Sequence, residues 1–561
     1  MDNIRLFLIM ALAYTGFLLW QAWQDDYVQP QQVQNKNTAQ ESAKTGNGSA
    51  GQSVPEVPTV ANIDSATPQV AKPTDAAKPV VKGQLVTVTT DTLKVSIDTR
   101  GGTIVETLLL KYPVSIQQPD VKYRLMSRSP DDFFISQNGL LGAENQEAPT
   151  HESLFSSSQT RYTLQDGQEQ LAVDLVWTGK SGVKVTKRYT FTRGSHKVDL
   201  ENIVENASSE PWQVREYRQL QRGKPTKKRN GMMGRAFVGG VSWDPEDKYQ
   251  KYDFDDLKAG KLNKEVTHGW IAMIQHYFLA AEIPPPQEPR HFYSKGLANG
   301  HYVIGAYSPA VNIAPGASHS FSGSIYMGPK DQDTLEHIAE GLDLVVDYGW
   351  LTLLAKPMYE ILSWINSVVG NWGWTILIFT VLIKAVFFKL SETSYRSMAK
   401  MRNLTPRIQA LKDRYGDDKQ RMQQAMMELY KESGANPLGG CLPMLVQMPF
   451  FIALYWVLME SVELRQAPWI LWIKDLSVMD PYYVLPVIMG ISMFIQQKLN
   501  PAPPDPMQAK LMMALPFVFT VMFAFFPSGL VLYWVANNIL SITQQWIITR
   551  RIEKQAATAK K

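Results

Sequence analysis

Lys384 places an ammonium inside an apolar run, WGWTILIFTVLIKAVFFKL at residues 372–390. A lone ionisable group at the centre of a membrane-spanning helix costs ~2.5–3.5 kcal/mol, so it faces a polar cavity or a protein interior rather than lipid. Other hydrogen-bonding side chains recur in the apolar runs. Asn371 and Thr380 share the run of Lys384, and Gln447 stands in the next. Tyr533, Trp534, Asn537, Asn538 and Ser541 stand in the last, with Thr543, Gln544 and Gln545. Lipid cannot satisfy such groups, so they predict a shared hydrated hollow that a polar visitor enters. The rival is snorkelling. Lys384 lies about six residues from the end of its expected helix, ~9 Å at 1.5 Å per residue, just beyond the reach of its stem.

Ordinary catalysis lacks its parts here. The 8 histidines (His151, His196, His268, His276, His291, His301, His319 and His337) all precede the apolar third, and neither HExxH nor GxxxxGK[ST] occurs. Metal-dependent proteolysis and ATP-driven work are therefore excluded, and no catalytic residue, metal ligand or cofactor is expected. The histidines and carboxylates of the polar part show no spacing that commits them to a sugar-processing site. A secondary transporter would share the kinked spans and the membrane lysine, but no inverted repeat is visible.

The elements that must position Lys384 belong to a chain of 561 residues whose net charge of +4 hides a strong asymmetry. Residues 1–23 predict an uncleaved transmembrane anchor, and the polar residues 24–82 a disordered periplasmic tether. Over residues 83–333 the period changes to two. Val183, Val185, Tyr189 and Phe191 alternate with Lys184, Thr186, Arg188 and Thr190, and turns such as Arg100-Gly101-Gly102 separate the runs. That pattern predicts one large antiparallel β-sandwich. It holds no cysteine, so its own core must hold it; the single Cys441 is a small packing residue of the apolar part.

Residues 334–356 read as one amphipathic helix, with Leu335, Ile338, Leu342 and Val345 on its apolar face, lying in the membrane interface or, as the alternative, packed on the β-domain. Five spans are expected after it, at about 364–390 (within a unit 357–390), 438–461, 482–497, 511–526 and 529–548, the last four within 438–549. Pro443, Pro449, Pro486 and Pro516 predict kinks in them. Met444, Met448, Phe450, Phe451, Phe517, Phe519, Phe523 and Phe525 supply adaptable apolar surface. Basic residues crowd the loop 391–437 and the tail 550–561, which puts both there and the two termini in the cytoplasm, with the β-domain in the periplasm.

That loop predicts a helical hairpin. Met398, Met401, Leu404, Ile408, Leu411 and Tyr415 repeat at helical spacing; Gly416 ends the arm, Asp417 and Asp418 open the next, and Met422, Met426 and Leu429 answer from it. Its basic outer face, with Arg402 and Arg407, suits ribosomal RNA phosphates or anionic headgroups, or simply enforces topology.

The order of motifs in the last third resembles the YidC/Oxa family of membrane insertases in its long Gram-negative form. The matching residues are Gly370-Asn371-Trp372-Gly373, Ser397-Met398-Ala399-Lys400-Met401, Gly416-Asp417-Asp418-Lys419-Gln420, Asn436-Pro437-Leu438-Gly439-Gly440-Cys441 and Gln447-Met448-Pro449. Ser461-Val462-Glu463-Leu464-Arg465, Asp480-Pro481-Tyr482-Tyr483, Asp505-Pro506-Met507-Gln508 and Pro527-Ser528-Gly529-Leu530-Val531-Leu532-Tyr533 follow. The resemblance implies a multidomain inner-membrane protein: an α-helical core of five spans plus an anchor, carrying a groove open to cytoplasm and lipid, and a periplasmic β-sandwich similar to sugar mutarotases. It implies that Lys384 stands where the family usually has arginine, and that Thr380, Tyr533 and Trp534 line the groove. The implied partners are nascent membrane-protein clients, the Sec translocon and its accessory subunits, the ribosome at the hairpin and basic tail, and membrane lipids.

Overall fold

A computed structural model describes residues 83–143, 146–225, 237–416, 418–433, 442–500 and 506–558. The expected anchor 1–23 and tether 24–82, Asp417, Cys441 and the end of the basic tail lie outside the described residues.

The polar part is a β-sandwich of an 11-stranded and a 9-stranded sheet. Its pairings are antiparallel except where Leu85–Thr89 lies parallel to Arg161–Thr163. Alternation explains the core. On the strand Val183–Thr192, Val183, Val185, Tyr189 and Phe191 are buried, and they join Val86, Val88, Val95 and Ile97 of the facing sheet in one apolar cluster. Arg100-Gly101-Gly102 does turn the chain between the strands Leu93–Asp98 and Thr103–Ser115, with φ of 76° and 61° at the two glycines. A Cβ on Gly101 would strike the carbonyl of His151. Helix α1, Phe254–Ala259, is closed at one end by an Asp253 capping box and at the other by left-handed Gly260.

The expected helix over 334–356 is not one helix. Helix α2 covers Gln332–Ile338, 3-10 turns cover Leu342–Val345 and Gly349–Leu351, and helix α3 runs Thr352–Val369. Gly341 and Gly349, at φ 71° and 58°, break the run. Only glycine fits at 341, because a Cβ would enter the Trp243 indole. Leu335, Leu342 and Val345 face the sheet residues Trp243, Trp270 and Tyr326 rather than a membrane. The amphipathic helix is α3 instead, with Met358, Tyr359, Leu362 and Ile365 buried and Leu353, Trp364 and Val368 exposed.

Gly370, left-handed at φ 69°, then separates α3 from helix α4, Trp372–Val386, so residues 364–369 belong to α3 and not to α4. Helix α5, Phe388–Tyr415, follows. Trp372–Val386 and Phe388–Arg402 together are long and apolar enough to cross a membrane but meet at 66°. Helices α6 (Lys419–Glu432), α7 (Leu442–Glu460), α8 (Val484–Leu499), α9 (Pro506–Phe523) and α10 (Ser528–Thr558) complete the order. Among the described residues no single helix is long and apolar enough to cross a membrane. Pro406, Pro449 and Pro516 lie inside α5, α7 and α9. Arg550 and Arg551 continue α10 without a break.

Helices α5 and α6 pack as a hairpin around buried Leu404 and Ile408, against Met401, Met426, Leu429 and Tyr430. Arg402 and Arg407 point outward, and Asp418 caps α6 by accepting from the Arg421 amide at 3.1 Å.

Candidate functional site

Helix α4 needs a start, and Asn371 supplies it. Its Oδ1 accepts from the amides of Gly373 and Trp374 at 3.1 and 3.2 Å, while its Nδ2 donates to the carbonyl of Pro468 at 3.1 Å. Asn371 is therefore a helix cap about 13 residues, ~20 Å, from Lys384. It is not part of a shared hollow.

The cap belongs to a tightly tied loop between α7 and α8. Trp469 packs edge-on to Trp374 at 5.9 Å and fills the space where a Cβ on Gly373 would stand. Buried Asp480 accepts from the Trp472 indole N–H at 3.0 Å and the Leu485 amide at 2.7 Å. Asp475 gathers Gln466 and Ser477, and Ser528 at the head of α10 donates to its carbonyl at 2.9 Å. These bonds tie the loop to the heads of α4, α8 and α10.

Lys384 stands near the opposite end, in the last turn of α4, two residues before that helix stops. The expected depth of six residues is corrected by the bend at Phe387. Depth below a helix end does not make this residue polar-facing; direction does. The side chain is 8% exposed and turns onto α10, where Nζ donates to Ser541 Oγ at 2.7 Å. Ser541 Oγ in turn donates to the Asn537 carbonyl at 2.7 Å, and Tyr395 of α5 donates to the Ser541 carbonyl at 3.4 Å. Among the described residues no carboxylate pairs with Lys384. A cation held by a neutral hydroxyl remains able to attract an anion.

The other expected residues divide between this seam and its neighbours. Thr380, one turn before Lys384, is buried, but its hydroxyl is spent on the Ile376 carbonyl at 2.6 Å. Asn537 is half-buried beside Ser541. Asn538 points elsewhere: its Nδ2 donates to Ser492 of α8 at 3.0 Å, which ties α10 to α8. Gln545 does the same one level on, donating to the Leu499 carbonyl at 3.3 Å. Tyr533 stacks on Phe451 of α7 at 6.1 Å, and Trp534 meets Phe451 and Phe523 edge-on at 4.8 and 5.5 Å. The Trp534 indole N–H and the Oε1 atoms of Gln544 and Gln545 are buried without a hydrogen-bond partner among the described residues. Gln447 is half-buried in the first turns of α7 and shares no hydrogen bond with Lys384 among the described residues. Tyr395 and Ser492 were not expected. Their signal was present: Ser391, Ser394 and Tyr395 fall on one face of α5, and the two serines are buried.

The β-domain also buries ionisable groups. Glu216 accepts from Arg218 at 2.8 Å and from Arg290 at 2.7 Å. Burial pushes the Lys187 ammonium down to about 7; it donates to the carbonyls of Gly101 and Asn138 at 2.5 and 3.0 Å. His151, lowered to about 4 by burial, shares 2.6 Å with the Tyr217 hydroxyl. These groups bond to Tyr217, to backbone carbonyls and, around Glu216, to each other, and among the described residues no three His, Cys, Asp or Glu gather as metal ligands would.

Comparison with known proteins agrees with this architecture. Residues 85–361 match the YidC periplasmic domain family and residues 364–555 the 60Kd inner membrane protein family. The membrane protein insertase YidC of Thioalkalivibrio sulfidiphilus is 50% identical over 99% of each chain, and that of Methylococcus capsulatus 49% identical over 100% of each. A crystal structure of an active YidC insertase with its first transmembrane domain resolved covers 83% of this chain and 94% of its own, at 18% identity and a TM-score of 0.39. A galactose mutarotase related enzyme from Lactobacillus acidophilus covers 44% of this chain and 97% of its own, at 9% identity and a TM-score of 0.30. By full-length identity and by both family matches, the chain belongs to the YidC family of membrane protein insertases.

Proposed function

We propose that the seam around Lys384 receives the hydrophilic flank of a membrane-protein client while the client's apolar helix moves into lipid. The chain works in the bacterial inner membrane as an insertase, not as an enzyme. The observation that carries this reading is a buried ammonium that, among the described residues, is held by the Ser541 hydroxyl and by no carboxylate, at the end of the bundle away from the tied loop.

The physics follows from that asymmetry. An acidic flank lets Lys384 exchange a hydrogen bond to a neutral hydroxyl for an ion pair with a carboxylate, so the flank's charge need not cross the hydrocarbon alone. The loop between α7 and α8 keeps the far end shut while this happens. Exposed Phe517 and Val521 on α9 and Met448 on α7 offer the client's helix an apolar path outward. Six spans, a periplasmic β-domain, cytoplasmic termini and a cytoplasmic basic hairpin complete the reading, because the basic residues gather at the hairpin end. The hairpin and tail meet the ribosome, and the chain acts alone or beside the Sec translocon.

The test is paired insertion into proteoliposomes. Lys384→Ala is expected to slow clients with an acidic flank severalfold more than neutral ones, and Lys384→Arg to preserve the difference. Equal slowing of both clients would remove Lys384 from the pathway.

A further inference from the structure

We infer that the tip of the strand hairpin formed by Thr103–Ser115 and Gln118–Met126 rests on the outer-leaflet headgroups, as a lipid contact of the β-domain separate from α3. This stands independently of any role for Lys384.

The hairpin outgrows its sheet. The neighbouring strand Leu93–Asp98 pairs with it only as far as Leu109, and beyond that the two arms continue alone, Pro113 opposite Lys122 and Ser115 opposite Gln118. Free of the sheet, the tip leaves Val114, Ile116 and Val121 exposed at 48%, 38% and 50%. Three apolar side chains at the end of a projecting ribbon are a costly surface to leave in water.

The base of the tip is fixed to the membrane part. Arg465, five residues past the end of α7, donates from Nη2 to the carbonyls of Pro113 and Val114 at 2.6 and 3.3 Å. Its guanidinium lies over the Tyr123 and Phe278 rings at 5.8 and 5.6 Å, and Gln466 Nε2 donates to Pro113 at 3.0 Å. Two residues earlier, Glu463 accepts from Tyr359 of α3 at 2.9 Å. One short turn therefore holds both the hairpin tip and an amphipathic helix whose outer face is Leu353, Trp364 and Val368. A helix of that kind lies in the interface plane, so the tip beside it sits at headgroup depth. Lys111 and Lys122 flank the apolar tip against a single Asp120, which suits anionic phosphate.

The experiment uses the full chain in proteoliposomes containing anionic lipid. After Cys441→Ser, a single cysteine replaces Ile116 and carries an environment-sensitive fluorophore. A second variant labels Lys184, an exposed strand position elsewhere on the sandwich. Headgroup spin-labelled lipid is expected to quench the label at 116 severalfold more than at 184, while iodide quenches it less. Adding Arg465→Ala is expected to reduce the difference. Equal iodide access at both positions would overturn the inference. Protection from iodide without headgroup quenching would also overturn it, since that is cover by protein.

Discussion

Lys384 donates to Ser541 across the α4–α10 contact at 2.7 Å, and the serine hands its own proton to the Asn537 carbonyl one turn back. The ammonium is thus parked on an acceptor that carries no charge. Removing the acceptor should cost stability, about 1.5–3 kcal/mol for a hydrogen bond to a charged group, yet leave the cation free to bind a client carboxylate. Ser541→Ala is therefore expected to lower the thermal midpoint while keeping the preference for acidic flanks. Ser541→Asp is expected to do the reverse: it pairs Lys384 permanently and erases that preference, as Lys384→Ala does. Paired-client insertion measured beside thermal unfolding separates the two substitutions.

The far end makes a contrasting prediction. Asn371 both caps α4 and holds the loop carbonyl of Pro468. Asn371→Ala should cost ~0.5–2 kcal/mol as a lost helix cap. It should also raise protease cleavage between Trp469 and Ser477 in reconstituted protein. The ratio of acidic-flanked to neutral insertion should not change. A changed ratio would return Asn371 to the client path.

Much of this arrangement is written locally in the chain. Val183 to Phe191 alternate as a half-buried strand must, and the Leu404 and Ile408 spacing finds its partners in Met426 and Leu429. What escaped depends on contacts distant in sequence. Lys187 occupies an inward register position between Val185 and Tyr189, where the carbonyls of Gly101 and Asn138 and the Phe155 ring face its ammonium. Asn371 before an apolar run reads equally as a groove residue or a cap until the loop at Pro468 is placed. The apolar spacing from Leu335 to Val345 is helical, but the indole of Trp243 demands glycine at 341 and ends the helix. Asn538 and Ser541 sit one turn apart, and which of them meets Lys384 is decided by how α10 is rotated against α4 and α8.

Within the sandwich, Glu216 joins strands distant in sequence by accepting from Arg218, Arg290 and Asn202. Breaking a buried ion group by removing one partner costs ~3–5 kcal/mol, because the remaining charges stay buried. Glu216→Gln is expected to lose that much in denaturant unfolding of the full chain in detergent. Asp174→Asn, which breaks the exposed pair with Arg188, should cost about 1 kcal/mol or less. Similar losses for the two variants would contradict the buried network.

Glu282 gives the domain a pH dependence of definite sign. Burial raises its carboxyl from the ordinary 4.5 to about 7, against the opposing charge of Arg218 and with Glu216 adding to the rise; Ser136 donates to Oε1 at 2.8 Å. A folded pKa above the unfolded one means that the folded state holds a proton which the unfolded chain has already released. The stability supplied by this group is complete below pH 4.5 and is lost progressively as pH rises to about 7. His151 and His196 work the other way: burial lowers both from 6.5 to about 4, so their contribution rises with pH across that window. The total slope hides Glu282, but a difference isolates it. Glu282→Gln, which stays neutral, is expected to gain stability relative to the parent steadily from pH 4.5 to 7 and to hold a constant advantage above. Denaturant midpoints of the two proteins across pH 4–8 measure this. A difference that does not vary with pH would mean that Glu282 ionises at its ordinary value, as a carboxylate fully paired with Arg218 would.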